Sequence, residues 1–418
     1  MKQTMACFIV LLLWISGDAG ARTGNVGEGA YAFDRNGISR EVLENYLDRS
    51  VTMVYFLMPE PEGRRGYSYH ADDVRMVKNI GAKFIGRAIY RWGGESLLNS
   101  PDFWAKAQSI INSMHQEDPE IVFQACLFEI ITEDVNKVSI PEWVFRDFGL
   151  PVETRTFSYQ SMLNDKGVMV DHWRKGSSVP DITQPETQFW FYYLACSYIN
   201  LGCEAFHIGQ VELIGMNDPD KTAWADILTR IRNYAKKQAR RNWVIIDAHV
   251  PYGGMLKDGV SLLDFNSFPL RIKEIPEKPY QAILEVNYLD GIYKKSKGCI
   301  SPSGWSCRNL PFLVEFDNFG RSRETNVSTI DTYFIWGWDE ISWYSLQSEA
   351  YRNEWLEYAW QWIRQTDPNG HLEMPGNRMI TCPNESEGNY RANTASPACP
   401  IGYSQEETIK SLWGNLVP

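Results

Sequence analysis

Along the first 250 residues, short runs of consecutive apolar residues alternate with stretches in which apolar positions recur every three to four residues. Val51–Met58, Lys83–Tyr90, Ile121–Ile131, Cys203–Leu213 and Asn242–Val250 are runs of the first kind. Such runs read as strands buried on both faces. Ala71–Ile80, Asp102–His115, Gln188–Leu201 and Lys221–Arg240 carry the helical spacing instead. The alternation implies a parallel sheet joined by right-handed crossovers. Beyond residue 250 the pattern loosens. Leu262–Leu270, Gln281–Leu289, Pro311–Asp317 and Thr332–Trp338 are strand-like, but Gly, Pro and Ser fill the segments between them. Together these runs number one more than an eight-stranded barrel holds, so Leu262–Leu270 or Gln281–Leu289 is read as an excursion. Glu349–Thr366 is a last amphipathic helix. The pattern predicts an α/β fold: an irregular (β/α)8 TIM barrel over 22–366, with shortened or missing helices in its second half. An open doubly wound sheet is the alternative. From Asp367 the chain is loop-rich, and 367–418 is expected to be a disulfide-stapled extension packed on the barrel.

The start of the chain changes the picture of where the protein works. Lys2 precedes the apolar run Ala6–Gly17, which is too short to span a bilayer, and Ala19-Gly20-Ala21 offers small residues for cleavage. Residues 1–21 are therefore expected to be a signal peptide, and the product to be secreted or periplasmic. Of eight cysteines, Cys7 would leave with that segment. Cys299 with Cys307, and Cys382 with Cys399, each flank a polar loop and read as staples for an oxidising compartment. Cys126, Cys196 and Cys203 lie in apolar segments and read as core residues. No other run is long and apolar enough for a membrane span. A formal charge of −11 argues against nucleic acid as a partner, since phosphate binding needs a basic face, but leaves room for a small basic pocket for an acidic sugar. No P-loop or GxGxxG is present, so no nucleotide cofactor is expected, and without a CxxC pair no zinc ribbon is expected.

Candidate chemistry lies where acids close apolar runs. Glu129 ends FQACLFE, Glu212 ends the apolar part of FHIGQVEL, and Glu315 ends PFLVE, with Asp317, Asp339 and Glu340 near similar ends. In a parallel barrel, the carboxyl ends of the strands carry the chemistry. Cutting a glycosidic bond needs two carboxyls across the bond, one protonated and one acting as nucleophile or base. Sixteen Trp and twenty-one Tyr supply either a large core or faces on which sugar rings stack.

Three stretches carry a resemblance. Phe84-Ile-Gly-Arg87-Ala-Ile-Tyr, Pro311-Phe-Leu-Val-Glu315-Phe and Trp336-Gly-Trp338 resemble the second, seventh and eighth strands of the retaining (β/α)8-barrel glycoside hydrolases, which place the acid/base after strand four and the nucleophile after strand seven. The resemblance implies a secreted hydrolase that cleaves a polysaccharide or oligosaccharide with retention. Glu315 would be the nucleophile, Arg87 its support, and Glu212 the acid/base. The Asn-Glu pair of that group is missing after strand four; Gln210-Val211-Glu212 stands there, and Glu129 is the fallback. Gln210, His207, His249 and Asp317 would contact sugar hydroxyls, while Trp92, Tyr288, Trp336 and Trp338 would line the cleft. No residue is assigned to a metal. Rival readings are a carbohydrate-binding barrel without turnover, a metal-dependent hydrolase or deacetylase using His207, Asp247 and His249, and a lyase acting on acidic polysaccharide.

Overall fold

The computed structural model describes residues 29–34, 37–58, 69–293, 296–382 and 388–414. The expected signal peptide, 1–21, lies outside the described residues. The fold is mixed α/β, built on one large curled sheet of ten strands. We number its strands β1 (Ser50–Met53), β2 (Phe84–Ile89), β3 (Val122–Cys126), β4 (Ala205–Gln210), β5 (Ile245–His249), β6 (Asn266–Pro269), β7 (Phe312–Glu315), β8 (Gly370–Leu372), β9 (Met374–Met379) and β10 (Asn389–Arg391). The first seven pair in chain order and in parallel. β8 continues in parallel on β7, and β9 pairs in parallel with β1. Only Glu373 separates β8 from β9, so one extended segment pairs with β7 along its first half and with β1 along its second. The sheet thus curls until its two ends meet at Glu373. β10 adds antiparallel to β9 outside this ring.

Helices follow the early strands as the spacing predicts. His70–Ile80 lies between β1 and β2, Pro101–Glu117 between β2 and β3, Pro185–Leu201 before β4, Thr222–Gln238 before β5, and Glu349–Thr366 before β8. Among the described residues no helix joins β5 to β6 or β6 to β7, so the loosened pattern after residue 250 reports absent outer helices.

Three expectations are corrected. Thr332–Trp338 forms no strand. Asp331, Trp336 and Gly337 have φ of 65°, 52° and 83°, and Ile335 and Trp338 bond to each other across a tight turn. Ile335, Trp336 and Trp338 are buried in a packed loop, while Tyr333 stays exposed. The strand closing the sheet is instead 370–379, inside the stretch assigned from the sequence to a peripheral extension. Its Gly and Pro disguise it. A Cβ on Gly376 would strike the Met53 and Val51 side chains, so glycine is what permits β9 to lie against β1. Finally, no disulfide forms among the described residues. Cys299 and Cys307 face each other on paired strands with sulfurs 3.9 Å apart, a contact and not a bond. Cys382 meets the Ser345 hydroxyl at 3.2 Å.

Of the surplus runs, Leu262–Leu270 holds β6, while Gln281–Leu289 is the excursion: only Ala282–Ile283 pairs there, with Lys273–Glu274.

The amino-terminal end of the ring is plugged. Helix α1 (Arg40–Leu47) starts at Ser39, whose hydroxyl accepts from Val42 N at 3.2 Å, an N-cap that satisfies a free amide. Its Val42, Leu43, Tyr46 and Leu47 pack on Phe84, Val122, Ala205, Ile245, Phe265 and Leu313, at or next to the first residues of β2 to β7. With that end closed, chemistry is confined to the opposite mouth.

Candidate active site

Parallel strands aim their carboxyl ends at one face, and the inward side chains there are polar. Glu315 closes β7 with its side chain only 4 % exposed. Its Oε2 receives Arg87 Nε at 2.9 Å and Arg378 Nη1 at 3.1 Å. Its Oε1 receives Arg87 Nη2 and lies 3.1 Å from His249 Nε2. Burial pushes this carboxyl up, but Arg378, Arg87 and His249 outweigh burial and hold it well below the usual carboxylate range. Arg87 is placed by an irregularity in the ladder: its φ is +54°, and the β2–β3 register shifts around it. A side chain in that region costs roughly 1–3 kcal/mol and recurs at functional sites.

Below this pair, His207 on β4 and Asp247 on β5 are register partners. His207 Nδ1 lies 2.6 Å from Asp247 Oδ2. Asp247 also accepts from Gln124 Nε2 at 2.7 Å and from the Ser267 hydroxyl. Burial pushes the His207 ring down, against the pull of Asp247. Glu373, at the junction of β8 and β9, is pushed up to about 8 by burial and by the Glu315 charge. Arg87, Gln124, His207, Asp247, Ser267, Leu313, Glu315 and Glu373 enclose a cavity of about 10 Å³, room for a single water.

An aromatic floor joins this cluster to β3. The Phe128 ring meets Arg87 at 5.4 Å, His207 at 5.9 Å, Tyr90 at 4.9 Å and Trp92 at 5.3 Å. Glu129 follows it, buried, with its two oxygens accepting from Gln210 N and Gln210 Nε2, each at 3.0 Å. A Cβ on Gly209 would overlap that carboxylate, so glycine makes the approach possible.

The structure therefore brings together Arg87, His207, His249 and Glu315, and separately Glu129 and Gln210 beside the same floor. Asp317 borders the first group, 3.3 Å from Arg378 Nη2. Glu212, two residues beyond Gln210, is on the short helix Val211–Ile214; its side chain is 36 % exposed and pairs with Lys221 at 3.2 Å. Of the aromatic candidates, Trp92 is exposed at 42 %, whereas Tyr288, Trp336 and Trp338 are buried. The two indoles donate to Gln281 O and Asn326 Oδ1, and the Tyr288 hydroxyl accepts from Asp331 N. Their faces are packed and unavailable for stacking. Exposed aromatic side chains include Trp92, Tyr252, Phe319 and Tyr333, in segments that follow β2, β5 and β7, with the Arg271 guanidinium over the Phe319 and Tyr333 rings. Sequence reasoning missed Arg378, Glu373, Gln124 and Ser267. The first two lie in the strand disguised by Gly and Pro, where a buried Glu and Arg in one short segment was the available signal.

No family model matches the chain, and no curated protein does. Solved structures similar to it include the noncanonic maltogenic α-amylase AmyB from Thermotoga neapolitana, at 11 % identity over 53 % of this chain and 50 % of that one, with a TM-score of 0.34. The Nostoc punctiforme debranching enzyme is similar at 11 % identity over 89 % of this chain and 80 % of that one, with a TM-score of 0.44. A β-L-arabinopyranosidase from Geobacillus stearothermophilus shares 12 % identity over 50 % of each chain, with a TM-score of 0.26. The chain thus spans about half the length of the first and third.

Proposed function

We propose that this chain is a glycoside hydrolase built on a (β/α)8 barrel, exported through its leader-like residues 1–21, and acting with retention on a polysaccharide or oligosaccharide. One observation carries the reading: Glu315, at the carboxyl end of β7, is kept ionised by Arg378, Arg87 and His249, at the end of the sheet whose following segments carry exposed Trp92 and Tyr252. An ionised carboxylate held rigidly by guanidiniums is a preorganised nucleophile. The sugar approaches along His249, the half-buried member of the cluster. A Glu315 oxygen attacks the anomeric carbon as the glycosidic C–O bond breaks, and the leaving oxygen takes a proton. Water then displaces the carboxylate, and the same acid, now a base, accepts the water proton. We assign that proton to Glu129 in place of Glu212, because Glu129 adjoins the Phe128 ring that packs on Arg87, while Glu212 turns to Lys221.

A polysaccharide panel read by the mass of released oligosaccharides tests this. Glu315→Gln should lower kcat by about 10³-fold or more on whichever glycan is cut, the scale of losing a nucleophile. Glu129→Gln should lose most on substrates with poor leaving groups, and Glu212→Gln should stay within about tenfold of the parent. Turnover undiminished in Glu315→Gln would overturn the mechanism. Glycan binding without any cleavage would leave a binding barrel instead.

A further inference from the structure

His207 is the least explained residue of the interior. It is 3 % exposed, yet its Nε2 has no hydrogen-bond partner among the described residues. Its other nitrogen lies 2.6 Å from Asp247 Oδ2, so Nδ1 carries the proton and Nε2 presents a lone pair. Asp247 is itself buried, and its further donors, Gln124 and Ser267, are uncharged. A carboxylate behind an imidazole fixes the ring and raises the basicity of the far nitrogen, the outer arrangement found around metal-bound histidines. Beside it stand a second imidazole and a carboxylate: donor atoms of His207, His249 and Glu315, one from each, all lie within 4.8 Å of one another.

We infer that His207, His249 and Glu315 form a binding site for one divalent transition-metal ion, with Asp247 orienting His207 from behind. The cavity that His207 and Glu315 line, about 10 Å³, suits an ion or a water. The charge balance admits a cation. Arg87 and Arg378 are met by Glu315 and Asp317, which leaves the Asp247 charge facing only neutral donors. Glu315 meets guanidiniums on both oxygens: Oε2 takes Arg87 Nε and pairs with Arg378 Nη1, while Oε1 takes Arg87 Nη2 and also faces His249, the contact an ion would share. Two imidazoles and one carboxylate suit zinc over magnesium or calcium, and leave a fourth position open. Zinc bonds of about 2.0–2.1 Å require the donors to close in by about an ångström.

The site stands independently of the hydrolase reading, but the two interact. An ion on Oε1 occupies an oxygen of the proposed nucleophile, so zinc should inhibit hydrolysis. The full chain, stripped with chelator, is titrated with Zn²⁺ by calorimetry and with Co²⁺ by visible absorption. One ion per chain is expected, with affinity weakened at least about tenfold in His207→Ala and His249→Ala and about tenfold in Asp247→Asn, the usual cost of losing a ligand's support. The exposed His172→Gln control should bind like the parent. Thermal melts show which variants remain folded, and His249→Ala, altering a half-buried residue, keeps the test open should His207→Ala fail to fold. Absence of stoichiometric binding in the parent, or undiminished binding in a folded His249→Ala, overturns the site. Zinc that binds and raises hydrolysis upholds the site and removes the metal-free mechanism.

Discussion

Glu315 and Glu373 line one cavity from adjoining strands, and their surroundings drive them apart. Arg378 and Arg87 hold the first ionised, while burial and the Glu315 charge push the second up to about 8. Glu373 should therefore be protonated in the native state at neutral pH, whereas in the unfolded chain it ionises near the ordinary value of about 4.3. Between these values the native state binds the extra proton, so stability is greatest below the unfolded value and is lost as pH rises through the folded one. Glu315 works in the opposite sense, but its loss falls well below this window. In guanidinium melts between about pH 5 and 8, Glu373→Gln should flatten the decline, by an amount of order a few kcal/mol at about 1.4 kcal/mol per unit. Glu340, also pushed up to about 8 by burial, leaves a residual slope. An unchanged slope in the variant would mean that Glu373 is not protonated. Glu315 and Arg87 were legible because each sits in an apolar run. The sequence already groups Asp247 with His207 and His249, but its place directly against the His207 ring follows from the register of β4 and β5.

At the scale of elements, α1 shows how little of a plug is visible beforehand. Its residues Arg40–Leu47 are amphipathic and short, and nothing in their spacing says that they close a ring of strands. In the structure Leu43 and Leu47 are fully buried against strand residues far along the chain. Leu43→Ala should cost about 2–5 kcal/mol in urea unfolding, the range for an unrelieved core cavity. A cost near zero would show that α1 merely rests on the ring. The long helices, by contrast, were legible to within a few residues, since one apolar stripe against a sheet is a local requirement.

For the whole molecule, the decisive event is closure at Glu373. A chain ending at residue 366 keeps β1 to β7 but leaves β1 and β7 as open edges, each with unpaired backbone groups. It should fail to give a cooperative thermal transition and should aggregate. If residues 367–418 were a peripheral extension, the truncated chain would instead melt cooperatively near the parent temperature.

The sequence by itself determined the class of the fold, the order of β1 to β5 with their helices, and the two inward residues Arg87 and Glu315. All of these follow from local periodicity and from acids or bases placed in apolar runs. Only the tertiary structure decided which segment closes the sheet, which tryptophans stay open, and which acids meet. Such outcomes depend on contacts between residues far apart in the chain: Gly376 is a strand residue only because Met53 and Val51 fill the space its side chain would need.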